Sequence, residues 1–416
     1  MGERRNLLSH DLEIVTKEFP EHRRITEFIE SRPGLALEGK LGPQEGNVTV
    51  RRKFKGVLES IIQVWGPDEA EPEDLADAIT QAVKPPYWLV RITVPTAVKE
   101  TVQLGEALAI HIAKGHGGVV YDPQAGSVIW PKMQVRPVSR SSDHERIRVV
   151  TLAWYLPPSQ GSTSMAQTFL QTTRRLCPEA VPVRFGLYHP LQGKLKTGEE
   201  QPFLDAVEQV LQKGRADMFE LKAKAPSFGG MLWIPDRNDD PEKSYPSNYV
   251  KLDLDFDGRV VEYDSGWCDR IVSLFLDLAR SLKAFYANSY VARGIFASRG
   301  GLGYDGISEH YPGPAGRWKG IPSVPYWLNW FGSPYLPLVK DALKAVGGLN
   351  FEDGVLVRLG TKPADFDQLR SSRLGLPPEL VSDMRLVEEE IKFPTGRIVR
   401  NDKWEAKSAQ VIPNLR

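Results

Sequence analysis

The chain has 416 residues, of which 41% are hydrophobic and 25% are charged. These fractions are typical of a globular protein and exclude an intrinsically disordered one. Lys plus Arg and Asp plus Glu are equal at 53 each, so the net charge gives no strong signal for nucleic acid or an anionic membrane as partner.

The remaining composition points to a cytoplasmic protein. Two cysteines are too few for a disulfide framework or a Cys-rich zinc site. The first residues lack the apolar core of a signal peptide, and no stretch approaches the roughly 20 apolar residues of a membrane helix. We therefore expect no membrane partner, while the oligomeric state stays open.

Residues 1–86 are predicted to form a mostly helical N-terminal region. In the segment 71–83, Pro72 would occupy the first turn of a helix. One face of that helix would carry three apolar side chains, Leu75, Ile79 and Val83. Pro85-Pro86 would end the helix and mark the first domain boundary.

The rest of the chain alternates between strand and helix patterns. Residues 87–140 predict a β-α-β-β unit, and residues 145–416 predict a larger α+β domain that contains a long helix over 267–290. The expected fold class is α+β, with the helical N-terminal region followed by one or two mixed layers of sheet and helix.

Residues 251–264, KLDLDFDGRVVEYD, contain the Asp-x-Asp-x-Asp-Gly pattern of calcium loops. Strict alternation of apolar residues instead favours a β-hairpin that turns at Asp257-Gly258. Leu252 would then pair with Tyr263, and Leu254 with Val261. The opposite face would present four carboxylates to a basic partner: Asp253, Asp255, Glu262 and Asp264.

One fragment of a catalytic motif is present. Glu220-x-Lys222, with Asp205 upstream, has the order in which metal-dependent nucleases hold Mg²⁺ and polarise water. Glu-x-Lys also occurs at 38–40 and 405–407, so the dyad has low specificity. The sequence shows no motif for a resident metal or cofactor. A protein without enzymatic activity is favoured, and a metal-dependent nuclease remains the alternative.

Residues 321–343 are rich in aromatic side chains, including Tyr326, Trp327 and Trp330. Trp and Tyr combine a large apolar surface with one polar atom. They therefore suit either a buried packing segment or an energetically dominant patch that binds a partner. Both interpretations remain open at this stage, and the exposed part of these rings would be the second binding surface.

The segment from Gly320 to Gly332, followed by an amphipathic helix and Gly347-Gly348, resembles bacterial immunity proteins. These proteins guard against polymorphic or type VI secreted toxins, and related families have unknown function. The resemblance spans about residues 200–370. It implies an α+β protein that binds and occludes a bacterial protein toxin, possibly a basic one. The alternatives are a phage-defence enzyme such as the nuclease above, or a non-enzymatic scaffold protein.

Overall fold

A computed structural model describes most of the chain. The described residues are 10–41, 47–54, 57–70, 72, 75–95, 99–123, 127–131, 146–187, 191–196, 198–213, 217–235, 248–298, 301–303, 317–387, 390–392, 398–400 and 403–414. The chain divides into two compact units, 1–143 and 144–416. The boundary expected between residues 140 and 145 lies outside the described residues.

The first unit is built around a sheet whose seven described strands run in the order β2-β3-β4-β5-β1-β6-β7. Its elements in chain order are β1 His10–Thr16, α1 His22–Glu30, β2 Leu35–Lys40, β3 Asn47–Phe54, β4 Val57–Ala70, α2 Asp77–Ala82, β5 Tyr87–Val94, α3 Lys99–Gly115, β6 Val119–Asp122 and β7 Ser127–Trp130.

The prediction of a helical N-terminal region is wrong. The described residues of 10–70 form four strands and one short helix, and the described part of the segment 71–83 contains the short helix Asp77–Ala82. Alternate residues such as Val48 and Val50 are fully buried, which is the two-residue period of a strand. Val48 pairs with Val64 and Val50 with Ile62 of the next strand, β4. These strands precede the segment around residue 75, so helix propensity there gave no indication of the sheet.

The second unit is also rich in strands. Its elements are β8 Arg146–Leu156, α4 Thr163–Leu176, β9 Arg184–Gly186, β10 Gly193–Lys194, α5 Gln201–Lys213, β11 Asp217–Lys222, β12 Ser227–Ile234, β13 Val250–Asp257, α6 Gly258–Tyr263, α7 Ser265–Ser281, β14 Tyr286–Ser298, β15 Gly301–Gly303, β16 Ile321–Pro322, β17 Leu328–Gly332, α8 Leu336–Lys344, β18 Leu349–Asn350, β19 Gly354–Arg358, α9 Phe366–Leu369, β20 Val381–Val387, β21 Glu390–Lys392, β22 Ile398–Arg400 and β23 Lys403–Lys407.

Eleven described strands of this unit form one large sheet, in the order β10-β9-β11-β12-β13-β8-β14-β17-β19-β18 with β15 paired to β14. Its strand pairs are antiparallel. Helices α4, α5 and α7 pack on one face and contribute Phe169, Phe203 and Leu274 to the main core. The protein is thus mainly a β-rich fold, which corrects the expected α+β class. No described helix is long and apolar enough to cross a membrane.

The hairpin predicted at Asp257-Gly258 is also wrong. A two-residue turn of the favoured type needs positive φ, but φ of Asp257 is −65° and Asp257 caps α6 by accepting from the Arg259 N–H. Gly258 lies against β8, where an added Cβ would stand 2.7 Å from the Arg148 carbonyl oxygen. The glycine therefore permits close packing, and β13 pairs with β12 and β8 instead.

The aromatic segment is a packing seam of the core. Tyr326, Trp327 and Trp330 are at most 1% exposed, so they do not form a binding surface in this structure. The Trp330 indole N–H donates to the Ala284 carbonyl oxygen at 3.1 Å, which joins β17 to the end of α7. The packing interpretation, and not the partner-binding one, describes these side chains.

Replacing Trp330 by Ala should therefore destabilise the second unit strongly. Loss of a buried indole leaves a cavity and costs about 3–5 kcal/mol. Urea unfolding followed by circular dichroism would measure the change. Tyr263→Ala is the control, because Tyr263 is 85% exposed and its loss should change the free energy of unfolding by less than about 0.5 kcal/mol. Equal effects of the two variants would contradict the assignment of Trp330 to the core.

Candidate binding site on the sheet face

Strand β13 presents a polar row on the sheet face opposite α4, α5 and α7. Leu252, Leu254 and Phe256 point into the helix-covered core. Because neighbouring side chains of a strand point to opposite faces, Lys251, Asp253 and Asp255 lie on the other side. The alternation that predicted a hairpin is thus real, but its polar face belongs to the centre of a large sheet.

Strands β8 and β14, which follow β13 in the order of the sheet, complete a group of mostly polar side chains on this face. Lys251, Asp253 and Asp255 pair with Tyr155, Ala153 and Thr151 of β8, which in turn pair with Tyr286, Asn288 and Tyr290 of β14. Ala153, between Asp253 and Asn288, is fully buried and packs with Tyr155 and Tyr286 in a hydrophobic cluster on this face. We name the group the Ala153 cradle and define it as Thr151, Ala153, Tyr155, Lys251, Asp253, Asp255, Asn288 and Tyr290.

Short hydrogen bonds fix the acidic side of the cradle. The Lys251 Nζ donates to Asp253 Oδ2 at 2.6 Å, and the Thr151 hydroxyl donates to Asp255 Oδ1 at 2.6 Å. Asp253 is 9% exposed, and Asp255 keeps a partly exposed surface. The two carboxylates therefore have different partners, since the ammonium of Lys251 contacts Asp253.

The opposite side of the cradle has unused hydrogen-bonding capacity. Asn288 is fully buried, and neither its amide nitrogen nor its oxygen makes a hydrogen bond of ordinary geometry with a described residue. The Tyr155 hydroxyl lies within reach of the Asn288 side chain, and this contact acts against burial, which raises the pKa of Tyr155. Buried amides without hydrogen bonds of ordinary geometry are uncommon, so Asn288 stands out among the polar groups of this face.

The charges in the cradle are strongly coupled. Burial, followed by the neighbouring Asp253 carboxylate, raises the pKa of Asp255 to about 7, although the Thr151 hydroxyl and Lys251 act in the opposite direction. Burial lowers the pKa of Lys251, but Asp253 and the tyrosines outweigh it and raise that pKa well above its ordinary value. Burial raises the pKa of Tyr290 to about 12. Asp255 is therefore the cradle carboxyl whose negative charge is least compensated.

The four carboxylates predicted to share one acidic face do not do so. Asp253 and Asp255 belong to the cradle. Glu262 lies on α6 and pairs with Arg148 at 2.7 Å, and Asp264 accepts a hydrogen bond from the Gly266 N–H at the start of α7. The prediction of an exposed acidic hairpin surface is therefore wrong. Helix α6 lies where the second strand was expected, and ion pairs neutralise some of the four carboxylates.

The nuclease residues are separated. Glu220 and Lys222 lie on β11 and share the sheet face of the cradle, since Glu220 pairs with Met231 and Met231 with Asp253. Two strand spacings put Glu220 about 10 Å from Asp253. Asp205 lies on α5 and accepts a hydrogen bond from Gln201. Within the described ranges, no three His, Cys, Asp or Glu side chains are arranged to hold a metal ion.

A second charged cluster joins the helices to the sheet. Asp365 is 2% exposed and receives the Gln368 N–H as the cap of α9. Its carboxylate also pairs with Arg148 at 3.0 Å and with Arg293 at 3.6 Å. Because Arg148 binds Glu262 of α6 as well, this cluster connects β8, β14, α6 and α9. We interpret it as a structural ion-pair network.

Sequence reasoning missed most of the cradle. Thr151, Tyr155, Asn288 and Tyr290 are brought to Asp255 only by the register of β8 and β14. The pairing of Lys251 with Asp253 could have been predicted from the sequence, since residues two apart on a strand share a face. A strand that places Lys and Asp at this spacing indicates internal pairing rather than an exposed acidic face.

Comparisons with known proteins leave the family open. No protein-family model matches the chain, and no curated protein matches it. Among solved structures, the Pseudomonas aeruginosa T6SS protein PA0821 is a weak neighbour at 16% identity, with a TM-score of 0.35. The alignment covers 52% of this chain and 70% of that one. Similarity at this level supports no conclusion about fold or function.

Proposed function

We propose that this chain is a cytoplasmic binding protein that neutralises a bacterial protein toxin by direct contact. The Ala153 cradle would receive a basic side chain of that toxin. The observation behind this proposal is the Asp255 carboxyl, which lies in desolvated surroundings beside Asp253, where Lys251 already contacts Asp253. Among the described residues, Lys251 is the cation that acts on both carboxylates.

A basic side chain is the ligand that fits this electrostatic deficit. An ammonium or guanidinium beside Asp255 would favour the ionised carboxylate and lower its pKa. Charge-assisted hydrogen bonds of this kind are about twice as strong as neutral ones. The Asn288 oxygen would offer one more acceptor. The binding of a cation would thus offset the free-energy cost of ionising the desolvated Asp255 carboxyl in the free protein.

The toxin-neutralising role also draws on the resemblance of residues 200–370 to immunity proteins. Such a role needs contact and no chemistry of its own. The nuclease and scaffold hypotheses make different predictions, because neither requires a toxic protein partner that contacts Asp255.

Affinity capture from the lysate of the native organism tests the proposal. Tagged wild-type protein should retain a protein partner that is toxic when expressed alone and tolerated when co-expressed. Asp255→Asn should lose most of this partner, and Asp341→Asn should retain it, since Asp341 is exposed on α8 outside the cradle. Equal retention by both variants would contradict the role of the cradle. A retained partner without toxicity would contradict the immunity role.

A further inference from the structure

The first unit contains a groove that neither the cradle nor the proposed toxin contact uses. One cavity of about 520 Å³ lies between α1 and α3, and a second of about 410 Å³ continues from it toward β3. The two share Arg32. We name them together the α1–α3 groove. Its charged and apolar lining includes Phe28, Arg32, Lys53, Leu104, Ile110 and Lys114.

The rim of the groove has an excess of positive charge. Four cations line it, Arg32, Arg52, Lys53 and Lys114, against two carboxylates, Glu27 and Glu100. Glu27 already pairs with Arg23 at 2.6 Å and with Arg24 at 3.8 Å. In the part of the chain that the structure describes, none of the four rim cations forms an ion pair with a carboxylate.

The floor of the groove is apolar. The Phe28 ring is buried, and the Arg32 guanidinium lies 3.5 Å from its centroid. Leu35, Leu104 and Ile110 remain partly exposed beside it. A floor of this kind is suited to an apolar side chain, because burial gains about 25 cal/mol for each Å² removed from water.

His111 also lines the groove, beside Phe28. Its ring lies 5.4 Å from that of Phe28, and its Nε2 atom is buried without a hydrogen-bond partner among the described residues. Burial, followed by the nearby Arg24, lowers the pKa of His111 below its ordinary value. A bound segment cannot reach the buried Nε2 atom, so the His111 ring adds to the packing around Phe28 and not to the positive charge of the rim.

We propose that the α1–α3 groove binds an acidic peptide segment of a partner protein. Carboxylates of the segment would meet the rim cations, and its apolar side chains would cover the partly exposed Leu104 and Ile110. A single small anion explains less of the site, because the cations are divided between two adjoining cavities and the floor between them is apolar. This inference does not depend on the proposed toxin contact, which concerns the other unit.

Fluorescence anisotropy with the full chain tests this proposal. The probe is a fluorescein-labelled helical peptide of alternating Leu and Glu pairs. We expect binding that weakens as salt rises, since exposed charges are screened within about 10 Å at 0.1 M salt. The double variant Lys53→Glu, Lys114→Glu should weaken binding at least about tenfold, in line with the cost of like charges facing each other.

The matched control is Lys340→Glu with Lys344→Glu, which makes the same charge change at two exposed positions of α8. This control should bind as tightly as the wild type. Equal losses in the two double variants would overturn the proposal, because attraction would then be non-specific. Absence of peptide binding, or equal binding of a peptide with Ser in place of Leu, would overturn it too. Binding of fluorescently labelled ATP without any peptide binding would assign the groove to a small anion instead.

Discussion

Asp255→Asn is expected to stabilise the second unit at pH 8. The folded-state pKa of Asp255 is about 7, whereas an unfolded Asp titrates near 4. Between about pH 4 and pH 7 the unfolded chain releases this proton while the folded one keeps it, so stability falls as pH rises through that window. Asparagine removes the charge and can still accept from Thr151. After allowance for coupling to Asp253, we expect a gain of about 1–3 kcal/mol.

Urea unfolding of wild type and variant at several pH values would measure this effect. The difference between the two proteins should be small near pH 4 and should grow until about pH 7, where it levels off. Asp341→Asn should show no such growth, because that carboxyl is exposed on α8. A stability difference independent of pH, or a loss of stability at pH 8, would contradict the raised pKa and with it the description of the cradle.

Asp365→Ala is expected to have the largest destabilising effect among the charged residues considered. The substitution would remove the cap of α9 and leave Arg148 and Arg293 without their shared carboxylate. Removal of one partner from a buried ion pair costs about 3–5 kcal/mol, since the remaining charge stays desolvated. Arg148 keeps Glu262 and Arg293 keeps Asp367 as a partner, and the two arginine side chains are 31% and 35% exposed. The expected loss therefore lies below this range, at about 2 kcal/mol.

Asp383→Ala is the matched control for that variant. Asp383 pairs with Arg385 at 2.8 Å, but their side chains are 52% and 73% exposed. An exposed ion pair contributes less than about 1 kcal/mol. Chemical unfolding of the two variants should therefore separate them by about 1 kcal/mol or more. Equal losses would mean that the Asp365 network is not the structural joint between α6, α9 and the sheet.

The sequence gives local features of the fold more reliably than long-range ones. A strand that starts near residue 251 and a helix over about 100–114 follow from their own periodicity, and they correspond to β13 and α3. The hairpin at Asp257-Gly258 failed because nothing local shows that β13 pairs with β8, about a hundred residues earlier. Helical propensity at 71–83 likewise concealed the sheet formed by residues 10–70.

The candidate site was predictable only in part, for the same reason. Asp253 and Asp255 stand out because they alternate with apolar residues. Their meaning depends on neighbours from β8 and β14, which turn an expected exposed face into a partly buried group. The composition of the aromatic residues at 326–330 suited both a surface that binds a partner and a buried core. Their burial in the structure agrees with the core.

Proton release on binding tests the role of Asp255 most directly. Once a partner has been identified by capture, isothermal titration at pH 7 in buffers of different ionisation enthalpy measures the protons released per complex. With a pKa of about 7 in the free protein, a cation that ionises Asp255 should release about half a proton in the wild type and none in Asp255→Asn. Equal proton release by both proteins would show that the partner does not place a positive charge in the Ala153 cradle.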